Sequence, residues 1–171
     1  MLPGDSGKAG PQHFSRIMAA EDNGTVNAIE LLYARSVISR RHRTPHQILT
    51  FAALVENRAY EKHVEVRWRG EEGDWQTLPA RYVATVGENR EIWQAEARFK
   101  LTEAASLPGN VHFALRCEVG GQEFWANNDG ADFLVEADAG VLLGPAAPVI
   151  QVDYEPQLAP EQRIVPVTVA V

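Results

Sequence analysis

A single cysteine, Cys117, stands in 171 residues, which excludes an intrachain disulfide and leaves the core to hold the fold. Its place in an alternating run marks it as a small buried hydrophobe rather than a nucleophile. Positive charge is also scarce, with 16 Lys and Arg against 23 Asp and Glu for a net charge of -7. Apart from Arg40-Arg41-His42-Arg43 there is no basic run, which argues against a phosphate-backbone ligand and is compatible with a neutral one; no nucleic-acid partner is expected. No apolar stretch approaches the roughly 18 to 20 residues of a membrane span, so no membrane partner is expected either. Residues 1 to 27 contain Gly, Pro, Asp and Lys but no apolar export segment, which predicts a cytoplasmic location.

Catalytic patterns are equally missing. The sequence has no Gly-x-Ser-x-Gly elbow, no phosphate-binding glycine loop and no Cys-His arrangement of known spacing. His42 and His46 have helical i, i+4 spacing, but Pro45 lies between them and three arginines crowd the segment, which argues against a metal pair. Glu71, Glu72 and Asp74 read as a solvated acidic loop rather than a glycosidase acid and nucleophile. The expectation is a non-enzyme with no metal and no cofactor.

Alternation with a period of two is abundant, and it has a direct structural meaning because successive strand residues face opposite sides of a sheet. Val64, Val66 and Trp68 share one face while His63, Glu65, Arg67 and Arg69 share the other. The same holds for Trp93, Ala95, Ala97, Phe99 and Leu101, and for Val111, Phe113, Leu115, Cys117 and Val119. Trp68 and Trp93 therefore belong to the core. Gly120-Gly121 between two such runs predicts a tight hairpin with a primed turn. Further strands are expected at Ala28–Ile38, Ile48–Glu56, Ala80–Val86, Asp132–Glu136, Val149–Tyr154 and Ile164–Ala170. Eight or nine short strands without a long amphipathic helix predict an all-β, antiparallel sandwich.

Three regions are expected: a flexible arm over residues 1–26, the sandwich over 27–140, and a Pro-rich extension over 141–171. Five of the ten prolines fall in the last 27 residues, which restricts that extension to edge strands or an extended wrap and makes it a candidate contact for a protein partner.

Two aromatics lie outside the alternating faces. Trp75 sits in the polar connection Gly70-Glu71-Glu72-Gly73-Asp74-Trp75, and Trp125 precedes Ala126-Asn127-Asn128-Asp129-Gly130. An indole offers an apolar face to the C–H side of a sugar ring, and Asn side chains offer both donors and acceptors to its hydroxyls. If a sugar covers about a third of the roughly 150 to 250 Å² that an aromatic buries, each ring contributes on the order of 1 to 2 kcal/mol. Two rings and a few amide hydrogen bonds, each about 1 kcal/mol net, bring a short oligosaccharide to the high micromolar range. Asn-Asn-Asp-Gly is also simply what a tight turn requires.

Val55-Glu56-Asn57-Arg58-Ala59-Tyr60-Glu61-Lys62-His63-Val64-Glu65-Val66-Arg67, Asp74-Trp75, and Phe113 through Phe133 occur in the order and spacing of three family motifs. In them the chain resembles the family 21 carbohydrate-binding modules, the starch- and glycogen-binding domains of fungal glucoamylases and of glycogen-targeting phosphatase subunits. The resemblance covers about 90 residues, from Leu54 to Val135. It implies an immunoglobulin-like β-sandwich that binds α-1,4-glucan without catalysis. It also implies a main site with Trp75 and Trp125 as stacking rings and Asn127, Asn128 and Asp132 as hydrogen-bonding partners, and a second site at Tyr60, Lys62 and Tyr82. The chain departs from the pattern at Ala126, where the family has Asp, at Asp132 for Asn, at Phe133 for Tyr, and at Ala114, where some members carry another site aromatic. The phosphatase-docking pattern of the targeting subunits, a basic residue followed by Val or Ile and then Phe or Trp after one residue, has no match in the sequence. The alternative to glucan binding is an immunoglobulin-like protein-interaction module that kept the fold and lost the sugar site.

Overall fold

The structure, a computed structural model, describes residues 27–41 and 43–147. The expected arm over 1–26, His42 and the expected strands Val149–Tyr154 and Ile164–Ala170 lie outside the described residues.

Among the described residues ten strands form in chain order: β1 (Ile29–Ser39), β2 (His46–Glu56), β3 (Lys62–Arg69), β4 (Gln76–Pro79), β5 (Arg81–Val86), β6 (Arg90–Lys100), β7 (Val111–Val119), β8 (Gln122–Ala126), β9 (Phe133–Val135) and β10 (Gly140–Leu143). They build two antiparallel sheets, the first in the order β10-β1-β2-β6-β5 and the second in the order β4-β3-β7-β8, with β9 also paired to β7. The all-β antiparallel sandwich read from the alternation is the observed architecture. Two of its strands, β4 and β10, have only four residues each and fall below what a period of two can mark.

The inward faces meet as the alternation requires. Leu31, Leu49 and Phe51 of the first sheet and Val66, Phe113, Leu115 and Cys117 of the second are almost fully buried in one cluster. Phe51 and Phe113 meet across the sandwich with ring centroids 4.8 Å apart, and Trp68 meets Phe99 at 5.2 Å. Each such side chain contributes roughly 1.5 to 3 kcal/mol by leaving water. Burial also pushes the Cys117 thiol pKa above its ordinary value, consistent with an inert core residue.

Buried polar groups close the ends of the sandwich. The Gln47 side chain donates to Ser36 Oγ at 2.9 Å and to the Gly109 carbonyl at 2.8 Å, and its own carbonyl accepts from Gly109 N at 2.9 Å. Gln47 thereby ties β2 to the loop before β7 with its polar atoms satisfied. Beyond β10 the chain stays attached to the first sheet, with Gly144 N donating to the Leu32 carbonyl and Ala146 N to that of Leu31. Ala146 and Ala147 cover a second apolar cluster with Leu32, Ala52, Leu54 and Ile92. The packed unit therefore runs through residue 147, seven residues past the end expected for the sandwich at 140.

Gly120 and Gly121 both take positive φ, 59° and 75°, which is the primed turn expected between β7 and β8. That turn fixes the register in which Trp125 faces Arg116 and Phe124 faces Cys117.

Candidate functional site

The outer face of the second sheet carries the side chains that alternate away from the core. β3 contributes Glu65, Arg67 and Arg69; β7 contributes His112, Ala114 and Arg116; and Trp125 on β8 stands opposite Arg116. β4 pairs Trp68 with Gln76, where that ladder ends, and Trp75 lies in the loop one residue before it. The Arg69 guanidinium lies 5.5 Å from the Trp75 ring centroid, on that outer side. Trp75 is 41% exposed and Trp125 is 45% exposed. The two rings thus open onto one common face. Three strand spacings and a four-residue offset along β7 put them on the order of 20 Å apart.

The loop that bears Trp75 is braced from below. Glu71 N donates to the Pro108 carbonyl at 2.9 Å, and the Glu71 carboxylate accepts from Asn110 N at 3.3 Å. Gly70 packs so closely on Pro108 that a Cβ would stand 2.6 Å from its carbonyl oxygen.

After Trp125, the segment 127–132 folds back on itself between β8 and β9. Asn128, Asp129 and Asp132 take left-handed φ values of 52°, 56° and 61°, a conformation that Asn and Asp tolerate better than other non-glycine residues. The Asn127 carboxamide oxygen accepts from Gly130 N at 3.1 Å, and the Asn128 amide donates to the Asp132 carbonyl at 3.1 Å. The tight turn that this sequence requires is therefore formed. One end of each side chain shapes the turn, and among the described residues the Asn127 NH₂, the Asn128 oxygen and the Asp132 carboxylate have no hydrogen-bond partner.

The departures from the expected pattern fall on different sides of the sheet. Ala126 pairs with Leu115 and packs against the core cluster, so its side chain points away from the Trp125 face. Ala114, paired with Arg67 on the outer face, is buried and brings no aromatic to that face.

A charged network unforeseen from sequence surrounds Trp125. Its indole N–H donates to Glu123 at 2.5 Å, and Arg116 donates to Glu123 at 2.7 Å, to Glu118 at 3.0 Å and to Glu65 at 3.0 Å. Glu65, expected on the solvated face, is buried. The bonds from Arg116 and then Trp125 hold the Glu123 pKa below its ordinary value, and the Arg116 guanidinium is stabilised further in its charged form. Alternation within β3 and β7 gave no sign of this, because the network joins residues up to 51 positions apart.

The three residues expected at a second site have distinct surroundings. Tyr60 is fully exposed beside an open groove of about 720 Å³ lined by Lys62, His63, Glu118 and Gly120. The Lys62 side chain is only 2% exposed; its Nζ donates to Asn57 at 3.0 Å and pairs with Glu91 at 2.9 Å. Glu91 also accepts from the Trp93 indole at 2.9 Å, so Trp93 sits half-buried at the seam of the sheets rather than deep in the core. Tyr82, half-exposed on the edge strand β5, sets its ring edge-on to Trp93 with centroids 6.2 Å apart. No group of three or more His, Cys, Asp or Glu side chains suited to a metal ion occurs among the described residues. Nor, among them, is any helix long and apolar enough to cross a membrane.

Residues 36–136 match the profile of the carbohydrate/starch-binding module, family 21. The chain is 35% identical over 106 residues to protein phosphatase 1 regulatory subunit 3E of Mus musculus, covering 62% of this chain and 35% of that protein. It is 32% identical over 130 residues to the subunit 3E of Homo sapiens, covering 76% of this chain and 43% of that one. The chain thus spans well under half the length of these relatives. Among solved structures it is similar to the starch-binding domain of Rhizopus oryzae glucoamylase, determined with β-cyclodextrin and maltoheptaose. That match has 19% identity and a TM-score of 0.47, covering 66% of this chain and 95% of the other.

Proposed function

The chain belongs to the family 21 carbohydrate/starch-binding modules, and from that premise we propose that it binds α-1,4-glucan, as glycogen or starch, without catalysing a reaction on it. The observation that carries this reading is the placement of Trp75 and Trp125, both exposed, toward one outer sheet face, with the unpartnered polar ends of Asn127, Asn128 and Asp132 on the loop that follows Trp125. Rings supply apolar contact to sugar faces, and the amides and carboxylate meet hydroxyls.

In this reading the distance between the rings, with no aromatic at Ala114, makes the platform two separated contacts rather than one continuous surface. A single ring contributes on the order of 1 to 2 kcal/mol, too little for millimolar affinity alone. Occupying both rings with one chain, or with neighbouring chains of a branched polymer, raises the affinity through effective concentration.

Electrophoresis of the protein through gels containing glycogen or amylopectin tests the reading. Retardation that grows with polymer concentration is expected, and migration unchanged by either polymer would sink it.

A further inference from the structure

We infer that Glu123, anchored by Arg116, is a positioning residue that fixes the plane of the Trp125 ring on the platform; this rests on the glucan-binding reading above. Trp125 is 45% exposed on a short edge strand, where an indole would ordinarily sample several rotamers. Its N–H is instead held at 2.5 Å by Glu123, the residue two positions before it on the same outward face of β8.

Glu123 alone could not act as a rigid anchor, since a surface carboxylate on a flexible stem would move with the ring. Arg116 supplies the rigidity. Its guanidinium fork bonds Glu123 through one nitrogen and the buried Glu65 on β3 through another, so the ring is tied through two side chains to a residue in the middle of the sheet. The groups facing Glu123 are Arg116 and Glu118 on β7 and, one strand further, Glu65 and His63 on β3, with His63 3.7 Å from Glu65. Arg116 thus bridges three glutamates and offsets part of their mutual repulsion. A consequence for ligand binding follows: the Trp125 N–H is already engaged, so this ring offers a sugar its face and not a hydrogen bond.

The pKa of Glu123 lies below its ordinary value in the folded protein, chiefly through the bond from Arg116. The clamp is therefore complete above the usual carboxylate range and opens only as pH falls through the lowered value.

The experiment follows the four tryptophan indole N–H resonances by ¹⁵N–¹H NMR alongside glycogen retardation, for the wild type, Glu123→Ala and Glu123→Gln. In the wild type the Trp125 resonance should lie downfield of that of Trp75 and move only at acid pH. Glu123→Ala should shift it toward the position of a solvent-exposed indole while Trp68 and Trp93 stay in place, and should weaken glycogen binding about fivefold, the order that one well-placed ring contributes. Glu123→Gln, which keeps an acceptor for the indole, should recover part of both effects. An unmoved Trp125 resonance in Glu123→Ala, or a moved resonance with unchanged retardation, would overturn the positioning role. An unretarded wild type would overturn the glucan reading itself, and the resonances would still report separately whether Glu123 holds the ring.

Discussion

Trp75 and Trp125 project from the outer face of the second sheet with much of each ring open, whereas Lys62, expected to act alongside Tyr60 and Tyr82 in a comparable role, is enclosed at the seam between the sheets. On the platform the fold spends its hydrogen bonds on orientation, through Glu123, Gly130 and Asp132, and leaves other polar atoms free. At the seam the fold uses every partner of the cation: Lys62 bonds Asn57 and Glu91, and Glu91 bonds Trp93. In the proposed function, the same kinds of residue, an aromatic beside a polar chain, thus serve recognition in one place, and they serve cohesion in the other. Burial of the polar member separates the two cases.

The largest effect is expected where that contrast is sharpest. Lys62→Met removes the cation from a buried pair and leaves Glu91 with only the Trp93 N–H, which costs about 3 to 5 kcal/mol of folding stability. Urea denaturation reads the loss directly, and the fraction still folded should keep its retardation in glycogen gels. Unchanged stability with lost retardation would break the comparison by making Lys62 a ligand contact.

Trp75→Ala with Trp125→Ala comes next. Removing two contacts of about 1 to 2 kcal/mol each should lower glycogen affinity more than tenfold, measured by gel retardation, with little change in urea midpoint because both rings are exposed. A collapse of stability in the double variant would move these rings into the category of Lys62.

Much of this contrast could be read from the residues in order, and the rest could not, for a physical reason. Alternation placed β3, β6 and β7 because each exceeds seven residues and faces an apolar core on one side. Gly120-Gly121 and Asn127 through Gly130 announced their turns because few other residues tolerate positive φ. β4 offered only Leu78 as an inward residue over four positions, too little for a period to show. The burial of Lys62 and Glu65 was invisible in the same way. It depends on Glu91 and Arg116, which lie 29 and 51 positions away and meet them only after the strands pair. Local pattern shows which way a side chain points; its partner across the sheet decides what it does.

A smaller effect sharpens the platform itself. With rings on the order of 20 Å apart, a short malto-oligosaccharide can stack on one ring only, while a chain long enough to span the gap can use both. Isothermal titration along a series of increasing chain length should show affinity rising by about tenfold once both rings are reached, the contribution of the second ring. In Trp75→Ala that step should vanish while the shortest ligands bind the remaining ring as before. A smooth rise without a step in the wild type would mean that the rings act independently.

The smallest effect on binding is expected at the position where the chain departs most plainly from its family. Ala126 stands in place of an aspartate, and from sequence that looked like a missing sugar contact. Its pairing with Leu115 and its packing on the core cluster direct the side chain inward, beneath Trp125 rather than beside it. Ala126→Asp would place a carboxylate against apolar neighbours without adding a group to the platform, so glycogen retardation should stay within about twofold while stability falls by roughly 1 to 3 kcal/mol. A clear gain in affinity would instead show that the strand end re-registers to present the carboxylate outward. The tight turn at Gly120-Gly121, which locks Trp125 opposite Arg116, would then be a weaker constraint than its backbone geometry implies.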